Sequence, residues 1–156
     1  MLGRTHLVIA SLVGVVLAPF VWPDQPWMFI ALVSLGGLLP DVDHEKSKIN
    51  KWVPVTRIVP LFFRHRGFFH SVFPMLFIGG GLWYADFPFQ GLAVAIGYAS
   101  HLLSDCCTRE GCNLLHPIST FRVQGPFTTG TIIETMLFLA VSGLLGAVVL
   151  VRIGLF

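Results

Sequence analysis

The run IIETMLFLAVSGLLGAVVLV, residues 132–151, holds one acidic residue and otherwise almost nothing but apolar and small side chains. Twenty such residues in a helix rise about 30 Å, the thickness of a bilayer's hydrocarbon core. Working back from it, apolar segments recur at Leu7–Trp22, Trp27–Leu39, Phe68–Tyr84 and Phe87–Leu103. Of the 156 residues 54% are hydrophobic and 12% charged, about half the charge of a soluble globular domain. The chain reads as a single all-α domain over 1–156, a polytopic membrane helical bundle of about five transmembrane segments. The segment at 27–39 is short for a span; it either starts nearer Trp22 or is re-entrant and shielded by neighbours. Arg4 followed by Leu7–Val21 resembles a signal peptide, but the best cut would leave Pro19 just after it, so the run is expected to stay as a helix.

Between the second and third segments lies a basic loop with Lys46, Lys48, Lys51, Arg57, Arg64 and Arg66. Its stretch WVPVTRIVPLFF, residues 52–63, mixes aromatic and aliphatic residues with Pro54 and Pro60, which suits an interfacial position more than one continuous helix. With five spans, the N-terminus, this loop and the 104–130 loop share a side that carries every Lys and Arg except Arg152. The preference for basic residues in the cytoplasm puts that side, and the N-terminus, inside the cell. A formal charge of +2 gives no reason to expect direct nucleic-acid binding. Cys106, Cys107 and Cys112 match no zinc-knuckle spacing and read as ordinary thiols.

The same topology gathers the ionisable residues. His6 falls before the first span, Asp41, Asp43 and His44 after the second, His65 and His70 at the start of the third, and His101 and Asp105 at the end of the fourth. Ligands distant in sequence thus meet at one depth on one side. His101 and Asp105 lie one helical turn apart; the competing reading is a polar pair bonding across helices. Pro40 turns Asp41, Asp43 and His44 out of the second helix, although Asp also favours such turns for its own reasons. Mixed imidazole and carboxylate suit a divalent transition metal, zinc first, then manganese or iron, ahead of calcium. His65 and His70 would point apart on a regular helix, so Gly67 must break it. Arg64 and Arg66 suit a phosphate, or anionic lipid at the inner leaflet. Thr131 and Glu134 fit a capping box, which competes with a functional role for Glu134. His116, before Pro117, reads as a loop residue.

THLVIA at 5–10, LPDVDH at 39–44, RHRGFFHS at 64–71, GYASHLLSD at 97–105, then Thr108, Gly111, Arg122, Gly130 and Glu134 together resemble the YdjM-like family of bacterial and archaeal inner-membrane proteins. That family is described as membrane-bound metal-dependent hydrolases, and one member is known as a LexA-binding protein. The resemblance covers nearly the whole chain; LLHP at 114–117 departs from an expected LLWP. Its pattern falls on His6, Asp41, Asp43, His44, His65, Arg66, Gly67, His70, Ser71, His101, Asp105, Arg122 and Glu134. A looser similarity of histidine and aspartate order links the chain to zinc-dependent phospholipase C enzymes, as an analogy only.

The resulting expectation is a metal-dependent hydrolase of the inner membrane, cleaving a phosphoester of a lipid-linked or interfacial substrate at the cytoplasmic face. His6, Asp43, His65, His70, His101 and Asp105 are its expected ligands for one or two ions, and Arg66, Glu134 and Asp41 its expected catalytic residues. Such ions acidify water and stabilise the entering and leaving oxygens of a displacement. The alternative is a non-catalytic membrane adaptor of the LexA-binding type, docking a protein regulator around a structural metal. A metal transporter fits less well, because the ligands gather at one interface and do not line a path through the midplane.

Overall fold

A proline opens two of the helices, at Pro26 and Pro88, where the missing N–H costs nothing. The computed structural model of the chain describes residues 1–44, 47, 50, 56, 58 and 66–154. Within them it is all-helical, and no strand occurs among the described residues. The helices are α1 (Gly3–Val21), α2 (Pro26–Gly36), α3 (Val72–Tyr84), α4 (Pro88–Cys106) and α5 (Ile132–Arg152). Each corresponds to one of the five apolar segments. Short 3-10 turns at Leu39–Asp43 and Phe68–His70 follow α2 and precede α3.

The short second segment grows at its C-terminal end, not toward Trp22: Trp22 caps α1, while α2 and the following 3-10 turn together give an apolar 18-residue stretch, Pro26–Asp43. Gly3–Val21, Pro26–Asp43 and Ile132–Arg152 are long and apolar enough to cross a membrane. Val72–Tyr84 is apolar but shorter, at 13 residues. The α4 helix has 19 residues and is more polar, because its last turns carry Ser100, His101, Ser104 and Asp105. Most of the WVPVTRIVPLFF stretch lies outside the described residues.

Tight crossings hold the body together. The α2 helix packs between α1 and α4, and α3 packs on the far side of α4. A Cβ on Gly97 would stand 1.9 Å from the Val33 carbonyl oxygen, and one on Gly36 2.4 Å from that of Val94. Glycine at both places lets the two backbones touch, the usual device where no water-driven force joins helices. Ala10, Phe29, Val33 and Ala93 fill the centre. In contrast, α5 rests chiefly on α1 and buries only Glu134.

Candidate metal centre

The crossing of α2 and α4 decides where His101 goes. Gly97 lies one turn before it and presses on Val33 and Gly37, so the imidazole is aimed at the end of α2, where Nδ1 stands 2.8 Å from the Gly37 carbonyl oxygen. A carbonyl can only accept, so Nδ1 carries the proton and Nε2 of the neutral ring carries a lone pair. His70 ends the 3-10 turn before α3, with Nδ1 3.2 Å from Asp43 Oδ2. A carboxylate also accepts, and again Nε2 is the lone-pair nitrogen. His6 lies at the end of the first turn of α1, since that helix begins at Gly3, before the expected Leu7. Its Nδ1 is 2.9 Å from Ser104 Oγ, whose one hydrogen is given to the His101 carbonyl. His6 must therefore donate, and its Nε2 is the third lone pair.

These three nitrogens converge on Asp105, one turn along α4 from His101. Asp105 Oδ1 lies 3.3 Å from His6 Nε2; Oδ2 lies 3.5 Å from His70 Nε2 and 3.7 Å from His101 Nε2. The His70 and His101 Nε2 atoms are 3.4 Å apart, and the His6 and His101 rings stack at 3.6 Å. His6 Nε2 is buried and finds no hydrogen-bond partner among the described residues. Imidazole lone pairs facing each other and a carboxylate repel unless a cation or proton sits among them. Ligands about 2.0–2.1 Å from a tetrahedral ion stand about 3.3 Å from one another, close to the separations found. The residues fit a metal ion.

Among the described residues there are two overlapping donor sets, His70, His101 and Asp105, and His6, Asp41 and His101, each with its ligand atoms within 4.8 Å. Asp41, on the 3-10 turn after α2, has Oδ1 3.8 Å from His101 Nε2 and 3.9 Å from His70 Nε2. It is the more exposed carboxylate; His6, His70, His101 and Asp105 are buried. Asp43 holds His70 through Nδ1 and accepts the Arg66 backbone N–H at 3.1 Å, so it orients a ligand rather than facing the nitrogens. Carbonyl, carboxylate and hydroxyl behind the three rings are the kind of partners that fix metal-binding histidines.

Arg66 adopts φ 59°, a left-handed conformation uncommon for a side chain of its size. Its guanidinium spans the rim of the cluster, 3.5 Å from Asp105, 2.8 Å from Glu110 and 3.2 Å from the Gly111 carbonyl. The amino group of Met1 also contacts Asp105. His65 and Arg64 lie outside the described residues. His44 caps the 3-10 turn at the surface, and His116 belongs to neither donor set.

Glu134 sits one layer away. Oε1 accepts the Leu2 N–H at 2.6 Å and the Thr5 hydroxyl at 3.1 Å; Oε2 accepts the Gly130 N–H at 2.6 Å. The capping box is therefore replaced: the carboxylate reaches Gly130, not Thr131, and Thr131 Oγ1 bonds the Thr128 carbonyl. The result is a tie from the start of α5 to the residues just before His6. Cys112 is buried, its thiol pushed up to about 12 by that burial, and Sγ donates to the His70 carbonyl at 2.8 Å. Sequence reading missed Ser104, Gly37 and Cys112. A serine three residues after a histidine was the one visible hint; the other two act through partners the sequence does not disclose.

A buried cluster of three histidines and an aspartate at one end of a small helical membrane bundle defines a polytopic protein with a metal-type donor set. The family described as "YdjM inner membrane protein" matches residues 1–155, and the chain belongs to it. It is 33% identical over 141 residues to "Uncharacterized protein YvsG" of Bacillus subtilis (strain 168), covering 87% of this chain and 86% of that one. It is 35% identical over 114 residues to "Inner membrane protein YdjM" of Escherichia coli (strain K12), covering 65% of this chain and 55% of that one. No solved structure matches. Family and apolar helices place the chain in the inner membrane.

Proposed function

We propose that this chain is a metal-dependent hydrolase that cleaves a phosphoester of a lipid-linked or interfacial substrate at the cytoplasmic face. The observation that carries the reading is the convergence of the His6, His70 and His101 Nε2 lone pairs on Asp105, with no hydrogen-bond partner for His6 Nε2 among the described residues. One or two divalent ions, zinc first and manganese or iron next, would be held by His6, His70, His101 and Asp105, with Asp41 on the open side and His65 as a further ligand. Such an ion supplies a water acidified to near-neutral pKa and charge stabilisation for the displacement. Asp41, less buried than the others, would serve as the proton acceptor on the open side of the site. Arg66, at the rim, neutralises the phosphate after exchanging its Glu110 partner for it. Glu134 keeps the start of α1 in place through Leu2 and Thr5.

The test is metal analysis of protein purified in mild detergent, followed by a panel of phospholipids and phosphomonoesters. One or two equivalents of metal and turnover lost in Asp41→Asn are expected. The burial of four ligands favours a second reading, a closed structural metal in an adaptor that docks a protein regulator. Stoichiometric metal with no hydrolysis of any substrate would support that reading, and folded protein that takes up no metal would overturn both. Sidedness rests on the basic residues, which a five-span topology would put, all but Arg152, on the site's side. Reporter fusions in the 41–67 loop and at residue 156 should report opposite sides; the same side would remove the five-span topology.

A further inference from the structure

The segment between α4 and α5 is a built structure, not a slack connection. Cys112 and Val123 exchange both backbone hydrogen bonds at 2.9 Å, Gly125 N–H reaches the Thr108 carbonyl at 2.9 Å, and Phe127 N–H the Cys107 carbonyl at 3.1 Å. Beyond these rungs the tip folds on the largely buried Asn113, whose side chain donates to the Ser119 carbonyl at 2.5 Å. The tip nevertheless turns large apolar side chains outward: Leu115, Ile118 and Phe121 are 53%, 79% and 74% exposed. Single exposed apolar residues are ordinary, but several on one rigid loop mark a contact surface.

Its attachments say what covers it. The Leu114 carbonyl accepts the N–H of Val72, the first residue of α3, so the tip begins level with the start of an apolar helix. The other leg ends just before α5, whose first turn exposes Ile132 and Ile133. Arg109 and Arg122 are exposed on the legs, and Arg122 reaches the Glu110 carbonyl. Apolar side chains beside exposed arginines, at the level of a helix entry, match the boundary between headgroups and acyl chains of an anionic leaflet.

We propose that the 114–121 tip inserts into the bilayer beside the metal centre, with Leu115, Ile118 and Phe121 among the acyl chains and Arg109 and Arg122 at anionic headgroups. Because Gly111 holds Arg66 and Cys112 holds the His70 carbonyl, the inserted tip fixes the open side of the cluster at headgroup depth. The inference rests on the spanning helices, not on the proposed chemistry, so it survives if no hydrolysis is found.

Nitroxide labels at Ile118→Cys, Phe121→Cys and, as a control, the exposed Gln124→Cys test it. The background is Cys107→Ser, whose remaining thiols are half-buried or buried. Full-length protein is placed in nanodiscs of phosphatidylethanolamine and phosphatidylglycerol. Labels at 118 and 121 should collide more with dissolved oxygen than with a neutral nickel chelate, and the label at 124 the reverse. A preference for nickel at 118 and 121 overturns the proposal, as does low access to both reagents, which means a second copy or a partner protein covers the tip. Exchanging phosphatidylglycerol for phosphatidylcholine should raise nickel access at 118; unchanged access overturns the part given to the arginines.

Discussion

The α2 and α5 helices are both apolar, yet the protein holds them in opposite ways. The first is wedged between α1 and α4, with glycines at the crossings and the Val33 and Gly37 carbonyls in direct use. The second lies along α1 and exposes most of its length, fastened in its first two turns by Glu134, by Arg4 on Thr135, and by the Arg4 guanidinium 5.1 Å from the Phe138 ring. Backbone contact is needed where a ligand's direction must be fixed, and lipid suffices elsewhere. The site therefore belongs to the α1, α2 and α4 crossing, and α5 acts on it through one carboxylate.

Breaking that contrast should show the largest effect at Gly97. A Cβ there meets backbone, the Val33 carbonyl and the Gly37 N–H, which cannot move aside as a side chain can. Gly97→Val is expected to exceed the ~1–3 kcal/mol of ordinary overpacking and to leave no monodisperse protein in detergent. On α5, Gly146 has nothing within 4 Å of an added Cβ. Gly146→Val should shift thermal unfolding by about 0.5 kcal/mol or less, as surface changes do. Equal damage from the two would mean α5 is packed in a way the single chain does not show.

Within the crossing, the ligands should separate from their supports. His101→Ala and Asp105→Ala each remove a donor common to the cluster and should abolish metal retention through gel filtration, while His116→Ala should retain metal as the parent does. Ser104→Ala removes the acceptor that fixes His6 Nδ1 and should weaken metal by about tenfold, the low end of the ~10–100-fold typical of such partners. Metal content unaffected by His101→Ala would dissolve the centre altogether.

How far the sequence foretold this differs between helices and site. Unbroken apolar runs mark all five helices, because a bilayer demands them, and the Pro40 turn and the His101 and Asp105 pair follow from local chain geometry. The bounds shift by a turn where polar residues remain helical, as at Gly3–His6 and Ser104–Cys106. Less legible is anything made by two segments at once: the Gly37 carbonyl behind His101, the turn of Arg66 toward Glu110, and the reach of Glu134 to Leu2. These depend on how closely α2 meets α4 and α1 meets α5, which glycine spacing permits but does not dictate. A capping-box pattern at 131–134 even suggests a purely local role for a carboxylate that bonds across 132 residues of chain.

The finest probe of the contrast is Glu134, the α5 residue whose side chain reaches the backbone just ahead of His6. Its carboxylate takes two backbone N–H groups and a hydroxyl. A glutamine has one acceptor oxygen, so its amide would face either Leu2 or Gly130 with donor against donor. One partly buried N–H would then lack a partner, at about 1–3 kcal/mol. Because Leu2 and Thr5 precede His6, the loss should also loosen that ligand. Glu134→Gln is thus expected to fall in stability by that amount and in metal affinity by no more than about tenfold, the low end for a group acting through a ligand. Thr5→Ala, removing one of the three donors, should move both readings the same way but less. A local cap alone would cost about 1 kcal/mol and leave metal binding untouched, whereas a direct ligand would lose the metal without a matching loss of stability of the metal-free protein. Calorimetric unfolding of the metal-free variant, set beside its metal titration, separates the three.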